Sequence, residues 1–102
     1  NQNHNMCLAP SNVQYTIEVN GFSEPVGANV TWNHNGETVF ECVMVGNGAS
    51  PDNGNIQTFN VLEGTPTYFL TQNTEYDFYI RAVCNSGNTT NWVGPKNVNI
   101  GG

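Results

Sequence analysis

The sequence predicts an all-β domain, two facing antiparallel sheets built from about seven strands, and three observations lead there. Asparagine occurs 18 times, glycine 11 and threonine 10, while lysine, arginine and alanine, which favour helices, are scarce. Asn20-Gly21, Asn35-Gly36, Asn47-Gly48 and Asn53-Gly54 supply the positive φ angles that tight turns need. Between those turns lie short apolar runs that alternate inward and outward, the period of a half-buried strand.

The first strand runs from Leu8 to Val13 and on through Tyr15, Ile17 and Val19. Pro10 has no N–H to give a ladder, so the strand belongs on a sheet edge. After the loop NGFSEPVG, the run ANVTWN sends Ala28, Val30 and Trp32 inward against Asn29, Thr31 and Asn33. The segment 38–45, TVFECVMV, is apolar on both faces, Phe40, Cys42 and Met44 against Val39, Val43 and Val45, and so should be central. Residues 51–55, PDNGN, read as a turn, because a calcium loop needs several carboxylates and Asp52 stands alone. Two short strands follow, in IQTFNV and TYFL, separated by a turn at Glu63-Gly64. The longest strand sets Tyr76, Phe78, Ile80 and Ala82 on one face, with Asp77, Tyr79, Arg81 and Val83 on the other, and ends at Cys84. A last strand, Trp92 to Ile100, is broken by Gly94-Pro95 and resumes as KNVNI.

At 102 residues the chain fits one domain with a single core. Two basic residues, Arg81 and Lys96, stand against eight acidic ones, giving a net charge of -6. No positive surface is available for phosphates or an anionic leaflet, which argues against nucleic acid and membrane insertion as partners. The polar opening NQNHNM has no signal-peptide pattern and reads as a linker, residues 1–6, of a longer processed protein, with Gly101-Gly102 a tail or second linker.

Trp32, together with Leu70, Thr74 and Tyr76 in the spacing L-x-x-x-T-x-Y, resembles the fibronectin type III domain over residues 7–100. The resemblance implies an immunoglobulin-like sandwich of seven strands. It also implies a tyrosine corner, in which the Tyr76 phenol bonds back to the main chain upstream and Leu70 enters the core. Gln72 departs from the pattern, since many members carry proline there, and its presence should loosen the corner slightly. The segments CLAPSNV and YIRAVCNSGNTTNWVGP are similar to modules of secreted, multidomain bacterial proteins. In those modules a C-x-x-P opening pairs with the cysteine of R-A-x-C, which implies a Cys7–Cys84 disulfide. By loop-closure entropy such a bridge stabilises by about 4.5 kcal/mol at most.

The remaining chemistry-bearing residues give no active site. Cys42, in register with Phe40 and Met44, reads as a buried, inert thiol. His4, Cys7, Cys84 and His34 form the alternative, a zinc site, but no tight C-x-x-C pair supports it. Glu41 and Asp77 are the best pair of carboxylates, and both are expected outward on a flat sheet. If Phe40 faces Ala82 across the central strands, Glu41 lies opposite Arg81 as a surface ion pair. His34 sits in a turn and no serine occupies a nucleophile elbow. Asn29-Val-Thr31 and Asn88-Thr-Thr90 fit the glycosylation pattern, incidental in a bacterial source.

The outward face carrying Glu41, Val43, Tyr79 and Arg81 offers an apolar stripe, read either as an interaction face or as surface covered by a loop. Trp92 could stack on a sugar if exposed. The expectation is a non-catalytic module, without cofactor or metal and monomeric when isolated. It would act as a spacer or docking domain of a secreted or cell-surface protein, with adjacent domains, an extracellular protein or a glycan as partners. The alternative is an adhesion domain that binds carbohydrate or protein.

Overall fold

Turn chemistry and side-chain alternation resolve into seven strands in a computed structural model that describes residues 7–102. In chain order they are β1 (Ser11–Val19), β2 (Pro25–Asn33), β3 (Val39–Gly46), β4 (Gln57–Asn60), β5 (Thr67–Phe69), β6 (Glu75–Ala82) and β7 (Val93–Asn99). All pairings are antiparallel, in one sheet ordered β1-β2-β5 and another ordered β4-β3-β6-β7. The linker assigned to residues 1–6, with His4, lies outside the described residues.

The inward faces meet as the alternation requires. Ala28, Val30 and Trp32 of β2 pack on Phe40 and Cys42 of β3, Phe78, Ile80 and Ala82 of β6, and Val98 and Ile100 at the end of β7. Trp32 meets Phe40 edge-on at 5.3 Å between centroids, and Tyr68 meets Phe78 in the same way at 5.9 Å. Each large side chain so buried contributes about 1.5–3 kcal/mol relative to exposure. Tyr15 of β1 closes one side of the sandwich, its hydroxyl donating to the Asn99 carbonyl at 3.3 Å.

β1 lies at a sheet edge as expected, but it begins after Pro10, which is buried ahead of the strand. The first residues pair irregularly: Asn12 takes a left-handed φ of 54° and the ladder shifts between Ser11 and Gln14. β7 is not interrupted by Gly94-Pro95. It passes through that pair, with Trp92 just before it, and takes up the irregularity as a register shift opposite Phe78 and Ile80. A side chain at Gly94 would meet the Phe78 carbonyl at 2.7 Å and the Tyr79 ring at 2.9 Å, so glycine allows the close approach.

The registers give the sandwich two poles. Ser11 is opposite Asn33, and Cys7 and Cys84 meet beyond that end. The β1–β2 turn and the β5–β6 corner lie at the other end, where the Asn73 amide donates to the Gly101 carbonyl at 2.9 Å.

Candidate functional site

Antiparallel pairing of β3 with β6 sets Phe40 opposite Ala82 and therefore Glu41 opposite Arg81. The Arg81 guanidinium donates through Nε and Nη2 to Glu41 Oε1, each at 2.8 Å, with both side chains a quarter exposed. It is the one ion pair among the described residues. On its other side the guanidinium lies 4.1 Å from the centre of the Trp92 ring, which in turn meets Tyr79 edge-on at 6.5 Å. In this exposure the ion pair contributes under about 1 kcal/mol and the ring contact about 0.5–1 kcal/mol. Their joint effect is positional, since Arg81 is gripped by carboxylate and indole together, and Trp92 has one face occupied.

Val43 does not belong to this surface. It is fully buried and Val45 nearly so, because the segment after β3 folds back across them. A Cβ at Gly54 would fall 2.5 Å from Val43 and 2.6 Å from Val45, so the loop can press this close only without a side chain there. Of the two readings of the stripe, the loop cover is correct at Val43 and Val45, and the accessible face contracts to Glu41, Tyr79, Arg81 and Trp92.

Asp77 also departs from expectation. It is 4 % exposed rather than solvated, and its carboxylate accepts from the Gly48 amide at 2.8 Å and from Asn47 Nδ2 at 3.2 Å. The Asn47-Gly48 turn was legible in the chain; that its N–H groups converge on Asp77 was not, because the register placing Asp77 opposite Val45 is tertiary. Below it, Pro51–Asn53 form one turn of 3₁₀ helix capped by the Ser50 hydroxyl, as the turn reading of PDNGN requires. Glu41 and Asp77 thus have different occupations, one bound to arginine and one to a turn, and form no acid–base pair.

At the corner the Thr71 amide donates to Tyr76 Oη at 3.0 Å, and the Thr74 hydroxyl donates to the Gln72 carbonyl at 3.2 Å. Leu70 is half-buried against the core. Gln72 gains a bond that proline could not make, donating from Nε2 to the Pro25 carbonyl at 2.9 Å.

At the opposite pole Cys7 and Cys84 are joined in a disulfide across 77 positions, with Cα atoms 5.5 Å apart. That occupies two ligands of the zinc alternative. His34 lies instead beside Phe40, ring centres 5.6 Å apart, and no group of three or more His, Cys, Asp or Glu side chains converges among the described residues. A recess of about 600 Å³ beside the bridge is lined by Asn35, Glu37, Thr38, Val83 and Asn85. Glu37 is its only carboxylate. Cys42 is free and buried, and burial, with the Glu41 charge second, pushes its thiol up to about 12. A thiol so held is a small hydrophobe, not a nucleophile.

No protein-family model matches the chain, and no curated protein is significantly similar to it. Among solved structures, one described as "Myokine structure" is similar with a TM-score of 0.70 at 17 % identity, over 94 % of this chain and 99 % of that one. At that identity the likeness establishes the all-β architecture.

Proposed function

We propose that the chain is a non-catalytic fibronectin type III module, a spacer or docking domain of a secreted or cell-surface bacterial multidomain protein. The observation that carries this reading is the double lock, a tyrosine corner at Tyr76 at one pole and the Cys7–Cys84 bridge at the other. Such a bridge persists in oxidising surroundings, which favours an extracellular site, and among the described residues no helix is long and apolar enough to cross a membrane. Where β1 begins and β7 ends, the chain leaves from opposite poles, the geometry a spacer in a row of domains needs. The direct test is to place the domain between two fluorescent reporters and measure their separation with and without reductant. A spacer holds one narrow distance when oxidised; a broad, salt-dependent distribution would contradict the role.

A second reading, an adhesion domain for glycan or protein, draws on the accessible Arg81, Trp92 and Tyr79. Guanidinium N–H groups not used by Glu41 and the edge of a fixed indole are the groups a polar ligand would meet. Titration with soluble polysaccharides, followed through Trp92 emission and repeated with Trp92→Ala, would support it by a saturable change lost in the variant.

A further inference from the structure

The pole of the β1-β2-β5 sheet opposite the disulfide carries several exposed apolar side chains, with Phe69 on the outer face of the sheet. Register pairs Val19 with Pro25 and Phe69 with Gly27, and the shift between Glu18 and Val19 puts both residues level with that end of the sheet. Phe69 is 79 % exposed and Val19 51 %. The β1–β2 turn continues this end with Phe22, 85 % exposed. Three large apolar side chains in solvent at one end of a small domain exceed the scattered exposure that surfaces normally show.

The turn is held in place. Asn20 Oδ1 accepts from the amides of Phe22 at 2.8 Å and Glu24 at 3.0 Å, its Nδ2 donates to Glu24 Oε1 at 2.9 Å, and backbone bonds join Asn20 to Ser23 and Glu24. Ser23 adopts a φ of 60° to close it. A turn ordered by five hydrogen bonds, with a phenylalanine pointing at nothing in its own core, has met the ordering cost of binding in advance.

Charge selects the occupant. Glu18 lies opposite Gly27 and Glu24 ends the turn, and each carboxylate is hydrogen-bonded only to a neutral amide, Asn29 and Asn20 respectively. Arg81, already paired with Glu41, and Lys96 stand on the other sheet. A second copy would bring the same two carboxylates to the contact, and like charges at an interface are repelled.

We propose that Val19, Phe22 and Phe69, rimmed by Glu18 and Glu24, form a docking surface for a protein partner whose apolar cleft is flanked by lysine or arginine. The site is independent of whether the fold is that of a fibronectin type III module. It is tested by nuclear magnetic resonance titration with two synthetic amphipathic peptides of equal leucine and tryptophan content, one flanked by lysines and one by glutamates. The lysine peptide shifts the amides of Val19, Phe22, Glu24, Gly27 and Phe69. Phe22→Ser and Phe69→Ser weaken its binding about tenfold or more each, with melting temperatures unchanged because both rings are exposed. Glu18→Gln with Glu24→Gln weakens it and flattens its salt dependence. The proposal is overturned if the lysine peptide does not bind, if the glutamate peptide binds equally, or if the shifts map to another surface. Self-association of the free domain that Phe69→Ser abolishes would overturn it too, assigning the surface to a second copy.

Discussion

The Tyr76 phenol accepts one hydrogen bond, from the Thr71 amide, and that bond ties the entry of β6 to the chain leaving β5. A single neutral bond of this kind contributes about 0.5–1.5 kcal/mol net. Tyr76→Phe should therefore lower the melting midpoint by roughly 4–8 °C for a loss near 1 kcal/mol, without changing the spectrum of the folded state. Cys42 gives a prediction of opposite character, in which pH alone is varied. Its thiol is pushed up to about 12 from 9.0 by burial and then by Glu41, so the unfolded chain releases that proton first. Stability is full below about pH 9 and falls between about 9 and 12, by at most ~1.4 kcal/mol per pH unit. Denaturation midpoints measured from pH 8 to 11 should decline for the native chain and decline less for Cys42→Ala. Tyr68, whose hydroxyl burial raises above the ordinary tyrosine range, adds to the fall at the alkaline end in both proteins.

At the scale of elements, the central strands were readable from the chain and the covering loop was not. Strict side-chain alternation fixes which face of β2, β3 and β6 is buried, and once Phe40 sits opposite Ala82 the Glu41–Arg81 pair follows by counting. Alternation puts Val43 on the outward face because it distinguishes two faces and says nothing about whether the second is also covered. What covers it is a segment whose approach depends on the missing side chain at Gly54 and on the Asp77 carboxylate, both contacts between positions far apart in sequence. The exposed pole is not legible in the chain for the converse reason: Phe69, in the strand run TYFL, reads as core, and a phenylalanine in the loop at Phe22 carries no sign of where its ring points. Asp77→Ala leaves the Gly48 amide without its acceptor and frees the turn after β3. The expected cost is about 1–3 kcal/mol in chemical denaturation, with faster hydrogen exchange at Gly48 than in the remainder of β3. Loss of stability without that local change would mean that the carboxylate acts on the whole sheet instead of the turn.

For the molecule as a whole, the core unites both sheets while the two poles are fastened differently, one by hydrogen bonds that reform and one by a covalent bond. Cys7 and Cys84 enclose nearly all the strands, only β7 lying beyond the bridge. Under tension applied at the two ends, the enclosed segment cannot lengthen while the bridge is intact. Single-molecule stretching of the domain, oxidised and then reduced, reads this directly. With Cys7 and Cys84 77 positions apart and about 3.4 Å per extended residue, oxidised unfolding should release roughly 260 Å less chain than reduced unfolding. Equal release in the two states would contradict the account of a sandwich whose one pole is locked by a covalent bond.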